Sequence, residues 1–192
     1  MFNYTDNPRI VSIQQEETVM RTKRLVPLVL LFLAAMLGTY ACSSNSSEGF
    51  AIYLTKDNIP PARMDALSYV RLSFQPLITA EDLLAYDPSD HRMELGAEAL
   101  NRISALEVPT TGKSFLVCVD KVPIYWGAFW TPVSSQSFAG VTIILPLPRS
   151  GERIIQLSLG YPTEAFFRGE DPRNDQKILD ALTKAGKLIA IP

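Results

Sequence analysis

The chain has 192 residues, among them 18 lysines and arginines, 20 aspartates and glutamates, one histidine and two cysteines. A formal net charge of −2 provides no general positive field for the phosphate contacts that dominate nucleic-acid affinity, so nucleic acid is excluded as a partner. One histidine and two cysteines are too few for a four-ligand zinc site or a disulfide framework, so a bound metal would need mainly oxygen ligands, and no cofactor is expected.

The first predicted element is a leader for export. Residues 25–37 read LVPLVLLFLAAML without a charge, and a basic cluster at 21–24 precedes them. A positive segment, a short apolar segment and then small residues are typical of a signal peptide. The uncharged stretch 25–41 is at the lower limit of what crosses a bilayer, so cleavage is favoured over a permanent anchor. We therefore predict a signal peptide over 20–41.

Residues 1–19 do not fit the pattern of a leader. They are polar, they include three acidic side chains, and they show neither a helical nor a strand period. Met20 stands directly before the basic cluster, where a signal peptide begins. We expect translation to start at Met20, which makes residues 1–19 a non-native extension.

Cys42 follows directly after the predicted leader and opens a small polar run. This arrangement resembles a bacterial lipoprotein signal, in which the cysteine after the cleavage site receives diacylglycerol and becomes the mature N-terminus. The resemblance makes Cys42 the lipidation residue and residues 42–49 a flexible tether. The family usually has leucine three positions before the cysteine and a small residue two before it, where this chain has Thr39 and Tyr40.

Two other fates of the leader stay open. An ordinary signal peptidase could cut at the same bond, since Thr39 and Ala41 suit a cleavage site of the A-x-A type, and the product would be a secreted protein. An uncleaved leader would remain as an anchor. All three place the domain on the extracytoplasmic side of the cell membrane, and we expect the lipid-anchored form.

From residue 50 to residue 192 the pattern predicts a single domain. The apolar run FAIYL indicates a strand. Further along, Val70, Leu72 and Phe74 alternate with polar side chains, which indicates a half-buried strand with these three residues on its buried face. Thr79, with Asp82 three residues later, resembles a helix-capping pair. The elements predicted in this half are strands at 50–54, 67–74 and 91–95, helices at 79–84 and 97–106, and a turn at 87–90.

The second half contains two predicted hairpins and a closing helix. The first hairpin turns at Asp120-Lys121, and its second strand continues past a bulge at Gly127. Gly186 is expected directly after the last helix. The predicted elements are strands at 115–119, 122–126, 128–131, 141–147 and 153–159, a loop at 148–151 and a helix at 175–185. Together they predict an α+β fold, a mainly antiparallel sheet with two or three helices packed on one face.

Four aromatic residues within a run of six are the strongest binding candidates. They are Tyr125, Trp126, Phe129 and Trp130, and an alternating strand would place the two tryptophans on one face. Exposed rings in this arrangement could stack on a sugar or hold an apolar peptide, whereas buried rings would be core. Cys118 lies in an apolar run and is predicted to be an inert core thiol.

No catalytic residue is predicted. His91 is the only imidazole that a catalytic triad could use, and a histidine in a turn is usually structural. Its acidic neighbours Asp87 and Asp90 could raise its pKa. Asp171 and Asp175 are weak candidates for a calcium site, but the same residues suit the start of the closing helix.

The mature region resembles a group of uncharacterised exported bacterial lipoproteins. The resemblance rests on the strand Ile52-Tyr53-Leu54, the aromatic strand 123–130, and the closing segments 171–175 and 186–188. It implies export and lipidation but no activity. More faintly, the hairpin around Asp120-Lys121 is similar to a repeating element in the extracytoplasmic head of the protein-export translocase, which has glycine where this chain has Lys121.

These observations predict a lipid-anchored, extracytoplasmic binding or accessory module rather than an enzyme. Its expected partners are the membrane, through acyl chains on Cys42, and an envelope protein, peptide or glycan. A cell-envelope hydrolase and an accessory domain of the translocase-head type are the alternatives. Paired carboxylates with raised pKa in a cleft would favour the hydrolase, with Asp87, Asp90, Asp171 or Asp175 as candidates, whereas an exposed aromatic strand would favour binding.

Overall fold

The computed structural model describes residues 48–64, 66–145 and 153–189, all within one unit, Ser47–Pro192. The predicted signal peptide, Cys42 and most of the tether lie outside the described residues, as does the predicted loop at 148–151. The strands and helices in chain order are β1 (Phe50–Leu54), β2 (Ile78–Thr79), β3 (Leu83–Asp87), β4 (Arg92–Leu95), α1 (Ala97–Ser104), β5 (Lys113–Val119), β6 (Val122–Trp130), β7 (Phe138–Ile144), β8 (Ile154–Gln156), β9 (Ser158–Tyr161) and α2 (Gln176–Lys184).

The strands form two sheets. The larger sheet has the strand order β2-β1-β5-β6-β7-β9, and every pair in it is antiparallel except β6 with β7. The smaller sheet has the order β3-β4-β8 and is antiparallel throughout. The C-terminal segment pairs with the edge of β3, because Tyr86 N–H donates to the Lys187 carbonyl at 2.7 Å and Ile189 N–H donates to the Tyr86 carbonyl at 3.0 Å.

One large apolar cluster joins the two sheets and the two helices. Strand residues such as Phe50, Phe115 and Met93 share it with buried side chains from both helices. The helix residues in this cluster are Ala99, Ile103, Ile178 and Leu182. The prediction of an α+β fold with mainly antiparallel pairing is confirmed, and the structure divides the strands between two sheets where one was expected. Within the described residues, neither helix has the length and apolar character needed to cross a bilayer.

The predicted hairpin of β5 and β6 is confirmed. Asp120 and Lys121 both have positive φ, 51° and 65°, as the favoured two-residue hairpin turn requires. The bulge predicted at Gly127 is wrong, because Gly127 pairs in register with Phe115. The register shifts instead where Cys118 pairs with Pro123, since proline has no N–H to give to the ladder.

The helix predicted at 79–84 is wrong, although its capping contact exists. The Asp82 carboxylate accepts hydrogen bonds from the Thr79 N–H at 2.8 Å and from the Thr79 hydroxyl at 3.1 Å. These bonds close a turn between β2 and β3 rather than starting a helix. The buried side chains of Ile78 and Leu83 on either side of the turn explain the outcome, because burying them in the sheets outweighs the local preference.

The strand predicted at 67–74 is also wrong. This segment contains a 3₁₀ turn, Leu67–Tyr69, and touches the end of β1 through a single bridge between Thr55 and Leu72. Phe74 is 97% exposed, although the alternation assigned it to the buried face. β2 pairs with the Ala51–Ile52 part of this edge of β1, so the segment meets the edge only beyond it, where Ser73 N–H donates to the Leu54 carbonyl at 2.9 Å.

The strand predicted at 153–159 exists as two short strands in different sheets. β8 pairs with β4 in the smaller sheet, while β9 pairs with β7 in the larger one. Leu157 lies between them, buried in the shared core. The closing helix is confirmed, with the Asp175 side chain accepting from the Lys177 N–H at 2.9 Å and Gly186 at φ 68° after its end.

Candidate functional site

The four aromatic candidates do not form an exposed surface. Tyr125 and Phe129 face the large core cluster, and Trp130 is 2% exposed on the opposite face of the sheet. Trp126 shares that face and is half-buried, and both tryptophan rings contact Phe138 with centroids 5.4 Å apart. A ligand could therefore reach only Trp126 without rearrangement of the sheet.

Cys118 is a free, buried thiol on the same face of the sheet as Trp126. Burial, reinforced by the charge of Glu48, raises its pKa to about 12. The thiol is therefore protonated at neutral pH, in agreement with the prediction that it is an inert core group.

A buried polar cluster surrounds His91, in the turn between β3 and β4. His91 is 6% exposed, has φ 59°, and its Nδ1 lies 3.0 Å from the Tyr86 hydroxyl. Burial lowers the pKa of His91, and the positive charge of Arg173 lowers it further, against smaller opposing effects from Asp171, Asp90 and Asp87. The negative charges of the acidic neighbours thus do not outweigh burial and the Arg173 charge, and the imidazole ring is neutral at pH 7.

The carboxylates beside His91 stabilise its turn. Asp87 accepts from the Ser89 N–H at 2.9 Å and from the Ser89 hydroxyl at 2.6 Å. Asp90 accepts from the Arg92 N–H at 3.2 Å and forms an ion pair with the Arg92 guanidinium. Both residues therefore act as turn-forming groups of the kind that aspartate commonly provides.

Arg173 is the best-fixed charged side chain near this cluster. Its Nε and Nη2 donate to the two Asp171 oxygens at 2.8 and 2.7 Å, and its Nη1 donates to the Leu157 carbonyl at 2.6 Å. The Arg173 side chain is only 12% exposed. The same hydrogen bonds lower the pKa of Asp171 despite partial burial, so its carboxylate is ionised. This two-point contact restricts the guanidinium to one orientation.

The weak calcium candidates are committed to other contacts. Asp171 pairs with Arg173, and Asp175 caps α2. Over the described ranges, no three histidine, cysteine or acidic side chains come together as metal ligands would. The structure thus gives Asp175 the helix-start role that the sequence offered as the other interpretation, whereas Asp171 orients Arg173.

A cleft of about 300 Å³ opens beside Arg173, where β7, the junction of β8 and β9, and the 3₁₀ turn Glu164–Phe166 meet. We call it the Arg173 cleft. Hydroxyl, amide and charged groups dominate its walls, together with a few apolar side chains. Its lining residues are Thr142, Ile144, Gln156, Ser158, Leu159, Gly160, Pro162, Thr163, Glu164 and Arg173.

Close backbone contacts fix one wall of the Arg173 cleft. Gly160 has φ 67°, and a Cβ atom there would lie 2.6 Å from the Thr163 carbonyl oxygen and 2.8 Å from the Phe167 nitrogen. The Thr142 hydroxyl donates to the Gly160 carbonyl at 3.1 Å. Strand β9 and the following 3₁₀ turn are therefore in direct contact, which holds Thr163 and Glu164 beside the cleft.

A second depression, of about 670 Å³, is lined by Asp57, Ile59, Ala62, Arg63 and Met64. Three of its five lining residues are exposed, and the Asp57 carboxylate is already paired with Arg71 at 2.9 Å. It has no buried polar group comparable to Arg173. The Arg173 cleft is therefore the stronger candidate for a site.

Neither of the two described carboxylates with a shifted pKa suits acid–base hydrolysis at neutral pH. Burial opposes ionisation of Asp82, but hydrogen bonds from Arg102 and Thr79 outweigh it and hold the pKa of Asp82 below its usual range. The pKa of Asp171 is lowered as well. A catalytic acid at neutral pH needs a raised pKa, so these two shifts are in the wrong direction for such a role.

No family model, no curated protein and no solved structure matches the chain. The resemblances to exported lipoproteins and to the translocase head therefore stay predictions.

The sequence did not single out the Arg173 cleft. Arg173 stands in the polar run 170–175, whose acidic side chains predict a metal site or a helix start. Gln156 and Ser158 lie in a segment interpreted as one ordinary strand. The visible signal was a set of polar side chains in short strands near the C-terminus, but only the division of that segment between two sheets brings them to Arg173.

The buried, neutral state of His91 predicts a pH dependence of stability. Because its folded-state pKa lies below the ordinary 6.5, the unfolded chain takes up a proton first, and stability falls as pH is lowered through about 6.5. One such group gives a slope of at most about 1.4 kcal/mol per pH unit. Denaturant unfolding of the purified full chain between about pH 5.5 and 7.5 measures this slope.

The matched variant for this measurement is His91→Asn, since asparagine tolerates positive φ and does not titrate. We expect the variant to show a shallower loss of stability on acidification than the parent. An unchanged slope in His91→Asn would show that other groups cause the pH dependence.

Proposed function

We propose that the protein is a lipid-anchored, extracytoplasmic binding module whose ligand occupies the Arg173 cleft. The observation that carries the binding role is a nearly buried guanidinium, fixed by Asp171 and the Leu157 carbonyl, in the wall of a polar cleft. Fixed polar groups in a concave site are what orient small ligands.

The proposed attachment follows from the leader and Cys42. Cleavage before Cys42 and transfer of diacylglycerol would give the mature N-terminus two acyl chains, and a third on its amino group is compatible with the same signal. One chain gives only marginal membrane attachment, whereas two hold a protein stably. The tether 42–49 would then join the lipid directly to the first strand, β1.

The hydrolase alternative has weaker support. Asp87 and Asp90 hold a turn, Asp171 is paired with Arg173, and Asp175 caps a helix. A hydrolase would need one carboxylate kept protonated near neutral pH and a second one poised to act with it. We therefore favour binding over hydrolysis.

The anchor is tested by membrane fractionation of cells that produce the full chain or its Cys42→Ser variant. We expect the parent in the membrane fraction, and the variant to lose stable membrane attachment, because serine cannot form the thioether to diacylglycerol. Cys118→Ala is the matched control, since Cys118 is buried in the sheet, and it should remain with the membrane. A Cys42→Ser protein that is cut before residue 42 and still stays as membrane-bound as the parent would contradict the lipid anchor.

A further inference from the structure

We infer that the Arg173 cleft binds a neutral, hydroxyl-rich ligand, a sugar ring, an inference that rests on the proposed binding function. The groups in the cleft, their charges and its size each narrow the class of ligand.

Arg173 offers unused donors in a fixed position. A guanidinium has five N–H groups, and three of those of Arg173 are committed, two to Asp171 and one to the Leu157 carbonyl. The remaining two have no acceptor among the described residues. Since the three committed bonds prevent the side chain from swinging away, a ligand oxygen in the cleft would meet donors that are already oriented.

Acceptors and hydroxyl groups complement these donors. The Glu164 carboxylate, at the edge of the cleft, has no hydrogen-bond or ion-pair partner in the described part of the chain. The Gln156 amide nitrogen donates to the Asp90 carbonyl at 3.1 Å, which leaves its amide oxygen as an acceptor. Ser158 and Thr163 add hydroxyl groups that donate and accept. A ligand must therefore present both donors and acceptors.

Charge excludes an anion as the preferred ligand. Asp171 already neutralises Arg173, and Glu164 adds a further negative charge to the cleft. A phosphate or carboxylate ligand would lose solvation without meeting a net positive charge. A cationic ligand would satisfy Glu164 but would leave the Arg173 donors facing a positive group. Neutral hydroxyl groups, each with one donor and two acceptor positions, match the whole set.

The size of the cleft limits the ligand to about one ring. Its volume of about 300 Å³ lies at the lower end of the range for small-molecule sites. Ile144 and Pro162 give it apolar surface against which the C–H groups of a sugar ring can pack. The same chemistry is offered by a free monosaccharide and by the terminal sugar of an envelope glycan.

The test uses the purified full chain in a detergent without a sugar headgroup. Binding is measured by ligand-observed saturation-transfer NMR and by calorimetry, with glucose, galactose, mannose and N-acetylglucosamine as neutral probes. Glucuronate, galacturonate and inorganic phosphate are the anionic probes. We expect weak binding of at least one neutral sugar, and at least tenfold weaker binding of its uronic-acid counterpart or of phosphate.

Three variants connect binding to the cleft. Arg173→Lys replaces the fork of donors by a point charge and should weaken sugar binding at least tenfold. Glu164→Gln removes an exposed, unpaired carboxylate, so it should fold normally and weaken binding several-fold. Arg168→Lys is the matched control and should bind like the parent. Arg168 is exposed, and within the described chain its guanidinium bonds only to the nearby carbonyls of Ala165 and Phe167.

The outcomes separate this inference from the proposed function. Absence of binding by every neutral sugar up to about 100 mM would overturn the sugar assignment. Binding of an anion instead, weakened by Arg173→Lys, would also overturn it while leaving a binding function at the cleft. Equal sugar binding by the parent, Arg173→Lys and Glu164→Gln would place the sugar elsewhere and overturn the inference. Tighter binding of maltotriose or chitotriose than of the matching monosaccharide would identify a glycan chain, and equal binding a free sugar, as the source.

Discussion

Replacing Phe129 by alanine is expected to lower the free energy of unfolding by about 3–5 kcal/mol, the usual cost of deleting a fully buried aromatic side chain. Phe129 has no exposed surface and lies on β6, between β5 and β7. Its ring packs against that of Phe115 with centroids 5.1 Å apart. Removing the ring would leave a cavity that the neighbouring side chains cannot readily fill, because backbone pairing fixes both flanking strands.

The measurement is denaturant unfolding of the purified full chain, and the matched control is Phe74→Ala. Phe74 is 97% exposed, so its truncation should change the unfolding free energy by no more than about 0.5 kcal/mol. Similar losses for the two variants would contradict the assignment of β6 to the centre of the core.

Gly160→Ala is expected to cost roughly 2–5 kcal/mol of unfolding free energy. About 1–2 kcal/mol comes from placing a Cβ atom at positive φ, and the remainder, about 1–3 kcal/mol, comes from overpacking. The atoms that the new Cβ would meet, the Thr163 oxygen and the Phe167 nitrogen, belong to the backbone and cannot rotate away. The variant should also displace the wall of the Arg173 cleft and weaken ligand binding there.

Gly186→Ala isolates the conformational part of this effect. Gly186 has φ 68°, almost the same as the 67° of Gly160, but a Cβ atom there would meet nothing within 4 Å. We expect Gly186→Ala to cost only about 1–2 kcal/mol in the same unfolding assay. Equal losses at the two glycines would show that the contact between β9 and the 3₁₀ turn does not constrain the cleft.

The elements with strong local signals were predictable from the sequence. The run FAIYL gave β1, the apolar strands around Asp120-Lys121 gave the hairpin, and α2 has both its cap at Asp175 and its terminating Gly186 within a few residues. In each of these elements the conformation that the local sequence prefers also buries its apolar side chains in the core. Contacts with distant parts of the chain therefore do not change the predicted element.

The elements whose prediction is wrong depend on pairing partners that are distant in the chain. Thr79 and Asp82 form the hydrogen bond expected at a helix start. The residues on either side of them pair in the two sheets, however, so the segment is a turn that connects β2 to β3. Nothing within 153–159 marks the point at which the chain leaves the smaller sheet for the larger one. The pairing of β8 with β4 and of β9 with β7 decides it.

The site was harder to predict than the fold for the same reason. An aromatic run attracts attention because exposed rings bind ligands, but here both faces of β6 are covered and most of the rings are core. The Arg173 cleft is assembled from three strands, a 3₁₀ turn and the segment before α2, and each contributes one or two ordinary polar side chains. Their chemistry emerges only when the fold brings them together.

The mass of the N-terminal peptide, from protein purified out of cell membranes, tests the lipid anchor most directly. We expect a peptide that begins at Cys42 and carries diacylglycerol on its thiol, with no residue of 20–41 attached. A peptide that begins at Cys42 with an unmodified thiol, or one in which residues 20–41 are still joined to Cys42, would contradict it.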